Sequence, residues 1–138
     1  DKGIYSEEIT DKVYNEIIKM GKHLAESGST VVLDASFSKR KYRKLVVEEA
    51  RSIGISLYFI QTTARDKTIR ERLQRREVCG KSISDARLEL LESFRKGFEE
   101  TRELPRKIYV TVSTDGAPDQ VLSDTFVGLI DLGLRHGR

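Results

Sequence analysis

Asp34, Ser36, Ser38, Lys39, Arg40, Lys41 and Arg43 stand within ten positions of one another. A carboxylate, two hydroxyls and four bases at that density can do phosphate chemistry. The acid can hold Mg²⁺ or orient a hydroxyl, and the bases can hold phosphate oxygens. The run before them, Thr30 to Leu33, is apolar and β-branched and reads as a strand buried on both faces. Asp34 then lies at a strand's carboxyl end, where open α/β sheets bind their ligands. The same spacing also suits a loop acid capping a helix whose charges face water, and the residues alone leave both readings open. A second basic group, Arg65, Lys67, Arg70, Arg72, Arg75 and Arg76, falls on a predicted helix over 66–77. Arg72 and Arg76 are four apart and share a face. Glu71 and Glu77 are interleaved, so a solvated, ion-paired helix is the ordinary alternative.

These residues must be positioned by a small core. The chain has 138 residues, 38% of them hydrophobic and 34% charged, enough for a single domain spanning 1–138 with a real core. Its apolar runs are far shorter than the ~18 residues a membrane span needs, and no secretory leader pattern opens it. A cytoplasmic location fits. Cys79 is the single cysteine, which excludes an internal disulfide, and no Cys/His cluster marks a zinc site. The net charge of +3 suits anionic ligands but is too dispersed to define a nucleic-acid surface by itself.

In chain order, Ser6 with Glu7 and Glu8 starts a helix, and Ile9, Val13, Ile17, Met20 and Leu24 supply its expected core face. Gly28 stops it. After the strand at Thr30 to Leu33, Ser38 is the expected cap of a second helix reaching about Ser52. Its buried stripe is Tyr42, Leu45, Val46 and Ala50, and Gly54 ends it. Ile55 to Gln61 is the second predicted strand, so strand, helix and strand form a crossover unit. The basic helix over 66–77, the loop Val78 to Ile83 and a helix opening at Ser84 and Asp85 have the pattern of a hinged lid. The fourth helix has Leu88, Leu91, Phe94 or Arg95, and Phe98 as its stripe. Ile108 to Val112 is the third strand and Thr114-Asp115-Gly116 its exit turn. Pro118 opens a last helix with Val121, Leu122, Phe126, Leu129 and Ile130 facing the core.

Taken together, the segments VVLDASF, KRKYR, LYFIQ, RERLQRRE and YVTVSTDG resemble the carboxyl-terminal two-thirds of a P-loop kinase of the small-substrate type. Gluconate-kinase-like and polynucleotide-kinase-like proteins, and related AAA-type ATPases of unknown substrate, are the nearest likeness, over about Tyr5 to Leu132. The resemblance implies an α/β fold with a three-layer, P-loop NTPase-like parallel sheet, here incomplete at three strands and about five helices. It implies Asp34 near Mg²⁺ and the reacting phosphate, and Ser36, Lys39, Arg40 and Arg43 on the acceptor side. Arg72 would lie against adenine, Arg76 would reach the transferring phosphate, and Asp115 and Gly116 would border the base. Arginines on a closing lid suit phosphoryl transfer, which needs positioning and charge neutralisation more than a covalent nucleophile. The implied reaction is transfer from ATP, with Mg²⁺, to a hydroxyl on a small molecule or a nucleic-acid end.

The phosphate loop G-x-x-x-x-G-K-[ST] is missing from these residues. Gly21-Lys22 is followed by His23, and Gly80-Lys81-Ser82 would need its first glycine where Arg75 stands. The resemblance therefore places the loop and its strand upstream of Asp1, and makes this chain a carboxyl-terminal fragment. The fragment is expected to be inactive alone and to bind no ATP or Mg²⁺ tightly. The absent strand would lie between those at Thr30 to Asp34 and Ile55 to Gln61. These two strands are then expected to pair directly, the gap to be filled by a homodimer or strand exchange, or the sheet to be partly disordered. The alternatives to a kinase are a degenerate P-loop module kept for interaction or oligomerisation, and nucleic-acid binding by the basic helix.

Overall fold

A computed structural model of the chain describes residues 7–77 and 85–136, with the side chains of 76, 77, 85–90 and 134–136 outside that description. The described residues fall into two compact units. The first comprises the described part of Asp1–Leu57 together with Phe98–Glu100, and the second Tyr58–Gly97 with Thr101–Arg138.

The first unit is helical. Helix α1, Glu7–Glu26, packs on α2, Arg40–Ser52. Both end in the same way. Gly28, at φ 88°, and Gly54, at φ 69°, take the left-handed turn that an L side chain resists. Around Gly28 the amides of Gly28 and Ser29 reach back to the carbonyls of Ala25 and Leu24. Around Gly54 those of Gly54 and Ile55 reach Arg51 and Ala50. That pair of bonds satisfies carbonyls the helix cannot satisfy itself.

The core face of α1 differs from the expected one. Tyr14, Ile18 and Gly21 are buried, whereas Ile9, Val13, Met20 and Leu24 are exposed, Met20 at 63%. The helix is rotated by about one residue because Tyr14 stacks on Tyr42, ring centroids 3.7 Å apart and planes 8° apart. Gly21 permits the close approach beneath it: a Cβ there would stand 2.9 Å from Leu33 Cδ2. On α2 the expected stripe holds, with Tyr42, Val46 and Ala50 buried.

The strand expected at Thr30 to Leu33 does not form. The segment belongs to no sheet, and Val32 is 86% exposed. Direct pairing with the next strand, and the crossover unit it would make, are corrected accordingly. A strand is stabilised by a partner's ladder of hydrogen bonds, and β-branched composition cannot replace that partner.

The second unit holds the described sheet, which has two strands rather than three. Strand β1, Phe59–Thr63, pairs in parallel with β2, Tyr109–Ser113, from Phe59 opposite Tyr109 to Thr63 opposite Ser113. The boundary of β1 is set by that register, so Ile55 to Tyr58, expected in the strand, precede it. Between the strands run α3, Asp66–Glu77, and α4, Asp85–Gly97. A 3-10 turn, Arg106–Ile108, leads into β2 and takes up Ile108. Helix α5, Pro118–His136, packs on β2. Its Gly128 sits where a Cβ would come 2.7 Å from Val110 Cγ2. Of the expected stripe, Val121 and Leu129 are half-buried, while Leu122, Phe126 and Ile130 face outward. On α4, Leu91 is half-buried and Phe94 exposed, and the Leu88 side chain lies outside the described residues. No described helix is long and apolar enough to cross a membrane.

Candidate functional site

In the first unit the expected acceptor residues divide between a tightly held loop, which carries Ser36, and the start of α2, where Lys39 is the N-cap and Arg40 and Arg43 are helical. Asp34 and Ser36 are exposed. Between Ser36 and the helix, Phe37 adopts φ 42°, the one described non-glycine residue in the left-handed region. A bulky side chain there is strained and has to be held by its surroundings. Two buried side chains hold it. From α1, the Tyr14 hydroxyl accepts the Phe37 amide at 2.9 Å and shares a 3.1 Å hydrogen bond with Ser36 Oγ. From α2, Arg43 donates to the Phe37 carbonyl at 2.7 Å.

Arg43, expected on the acceptor side, is only 1% exposed. Its other terminal nitrogen donates to the carbonyls of Glu99 and Glu100 at 2.9 and 3.1 Å, and its guanidinium lies 5.7 Å from the Phe98 ring. The Glu99 amide in turn donates to Ser38 O. A planar fork of fixed donors suits three carbonyls converging from two segments.

The cap of α2 also differs from expectation. Lys39, not Ser38, occupies the N-cap position with an extended backbone and makes no side-chain cap. The Arg40 amide donates instead to Glu99 Oε2 at 2.7 Å, across 59 residues of sequence. Lys39 Nζ lies 3.4 Å from the other oxygen. The backbone hydrogen bond from Arg40, then Lys39, lowers the Glu99 pKa, since both favour the charged form. Beside it, Lys41 bridges Glu7 and Asp11, and Tyr42 donates to Asp11 at 2.6 Å. Burial and that carboxylate push the Tyr42 phenol up to about 12.

The second unit brings together Arg72 and the turn after β2. Arg72 donates to Thr114 Oγ1 at 2.9 Å and to the Thr114 carbonyl. Thr114 donates through both its amide and its hydroxyl to the Thr63 carbonyl, closing the ends of both strands. Asp115 accepts from the Arg65 amide at 3.0 Å, 50 residues away, and its Oδ2 lies 3.3 Å from Arg65 Nε. Hydrogen bonds from Thr68, the Arg65 amide and Ser113 bring its pKa down to about 2. Asp115 is thus the N-terminal cap of the basic helix, a carboxylate at the positive end of its dipole. A second tie is the bidentate pair of Arg95 with Asp66, at 3.0 and 2.6 Å. Gly116 is exposed beside Gln120.

Several sequence expectations fall outside the described residues: the helix start at Ser6, the side chains of Arg76 and Leu88, the loop Val78 to Ile83 with Cys79, and the helix opening at Ser84. The residues that sequence reasoning missed are Tyr14, Glu99 and Thr114. Tyr14 lies off the expected core face of α1, and its hydroxyl's role has no local signature. Glu99 and Thr114 act on segments dozens of positions away.

A family model described as AAA domain matches residues 1–101. The chain belongs to the AAA domain family. This AAA domain therefore carries the P-loop NTPase-like α/β fold, of which the described sheet contributes two parallel strands. No curated protein and no solved structure matches it. The match spans the whole first unit and the helices α3 and α4, and ends before β2.

Proposed function

We propose that this AAA domain is the acceptor and lid portion of an ATP-dependent phosphotransferase acting on a hydroxyl of a small molecule or nucleic-acid end. The observation that carries the reading is Arg72 held against Thr114, beside Asp115, at the carboxyl end of β2. Ligands of open parallel sheets bind at that end. An exposed guanidinium beside a turn's carbonyl and hydroxyl offers a flat cation for a base and donors for phosphate.

In the first unit, Asp34 is an exposed carboxylate at the start of the pinned loop. Among the described residues no cluster of three acids, cysteines or histidines could enclose a metal. One carboxylate nevertheless fits Mg²⁺, which keeps its waters and takes substrate phosphates as ligands. Bound ATP·Mg²⁺ would supply the transferable phosphoryl group and neutralise its charge. Ser36 with Lys39 and Arg40 would orient the acceptor, and Arg76 would meet the phosphoryl group.

The phosphate-gripping loop is to be supplied from outside these 138 residues. Consistent with that, β1 pairs along one edge only among the described residues, and the segment before Asp34 has no sheet partner. Calorimetric titration of the chain with ATP·Mg²⁺ is expected to give a dissociation constant weaker than about 1 mM. A micromolar value, about −8 kcal/mol, would refute the claim that the grip lies elsewhere.

A second reading is an interaction module without catalysis. It is favoured by the outward apolar stripes of α1 and α5. Sequence encoded before Asp1 separates the two readings, since a phosphate loop there belongs only to the enzyme.

A further inference from the structure

The loop 34–38 carries an exposed acid and hydroxyl, yet it holds at Phe37 a conformation that phenylalanine avoids. Such strain persists only when neighbouring groups over-determine it. Here they can be named. The Phe37 amide is taken by the Tyr14 hydroxyl from α1 and its carbonyl by Arg43 from α2, so both polar groups of one peptide residue end on buried side chains. Tyr14 is 7% exposed and Arg43 1%. Both are braced in turn. The Tyr14 ring stacks on Tyr42 and meets the Phe37 ring edge-on at 5.2 Å, and Arg43 also binds the carbonyls of Glu99 and Glu100.

We infer that Tyr14 and Arg43 are positioning residues, which lock Phe37 in its left-handed conformation and thereby fix where Asp34 and Ser36 are presented. The use made of Asp34 rests on the phosphotransferase reading; the lock itself does not. A tyrosine kept only for packing would need its ring and not its hydroxyl. This hydroxyl serves two neighbours in the loop, the Phe37 amide and Ser36 Oγ, while the ring alone serves the core. Arg43 likewise does what lysine cannot, since a single ammonium lacks the fork that reaches Phe37 from one nitrogen and two further carbonyls from the other.

The test uses the ¹⁵N-labelled chain and Tyr14→Phe, which keeps the aromatic stack. Amide hydrogen exchange is expected to accelerate at Phe37 by about tenfold, while Val46 and Ala50 in α2 change by less than about threefold. An unchanged Phe37 amide overturns the inference, as does an equal acceleration at all three positions, which would mean only lost stability. Arg43→Lys is expected to show the same selective release and not to behave as wild type. Mn²⁺ alone is then added as a paramagnetic probe. Broadening of the Asp34 and Ala35 amides is expected in the wild type, several-fold weaker in Tyr14→Phe and absent in Asp34→Asn. If the wild type is not broadened, the metal reading of Asp34 fails, while the exchange rates still decide whether the lock exists.

Discussion

The two units solve one problem, anchoring a helix that bears basic side chains, by different means. In the first, α2 is held from inside: Arg43, Tyr42, Val46 and Ala50 are buried, and the guanidinium of Arg43 ties the helix to the loop and to Glu99–Glu100. In the second, α3 has no fully buried side chain among those described and is held from outside, by Asp115, Thr114 and Arg95 at the surface. Buried polar groups are costly to disturb, because each lost partner leaves a desolvated group unpaired. Exposed charge pairs are individually weak and can exchange one anion for another. On the proposed phosphotransferase reading, a fixed acceptor loop and a moving lid helix would be built in these two ways.

The contrast is broken most directly at Arg43. Arg43→Ala removes a side chain that is 1% exposed and takes its shared donor from three carbonyls, of which those of Glu99 and Glu100 stand on exposed residues. Lost packing therefore adds to hydrogen bonds worth about 1–3 kcal/mol each. We expect a loss of about 2–4 kcal/mol in urea denaturation. A loss under about 1 kcal/mol would mean that α2 is no more deeply anchored than α3.

The glycines at the two close approaches sharpen the comparison. In Gly21→Ala the new methyl meets the flexible end of Leu33, which can turn away, so less than about 1 kcal/mol is expected. In Gly128→Ala it meets Val110 Cγ2 on a paired strand, a stiff β-branched side chain, and about 1–3 kcal/mol is expected from overpacking. Thermal melts of the two variants decide it, and equal shifts would contradict the assignment of a rigid contact to α5 and β2 alone.

The smallest effect is the most specific. Asp115 has its pKa lowered from 3.8 to about 2 in the folded chain. A lowered carboxylate stabilises above its unfolded pKa and loses that contribution as pH falls toward the folded value. Protection of the Arg65 amide, which Asp115 accepts just before α3, is therefore expected to be full above pH about 5 and to fade toward pH about 2. In Asp115→Asn that fading should vanish. An unaltered acid profile in the variant would remove Asp115 from its capping role.

What was legible in the sequence was local. Gly28 and Gly54 end their helices as read, Asp66 and Pro118 begin theirs, and the α2 stripe is where its periodicity puts it. Each signal and its effect lie within a turn of helix. The strand at Thr30 to Leu33 failed because a strand's existence depends on a neighbour, which apolar composition cannot announce. The α1 face moved by a residue because the ring of Tyr14 found Tyr42, a contact across 28 positions. The site was half legible for the same reason. Asp34, Ser36, Arg72 and Asp115 could be nominated from local pattern and resemblance. That Asp115 caps α3, that Glu99 caps α2, and that Arg43 is turned inward depend on pairings no local window contains.

The cap of α3 also bears on how the chain is made. A ribosome emitting roughly 5–20 residues per second completes α3 several seconds before it reaches Asp115, 50 residues beyond Arg65. Through that interval the nascent basic helix has neither its terminal carboxylate nor the strand that pairs with β1. The second unit can therefore close its sheet and cap α3 only after β2 and Asp115 have emerged.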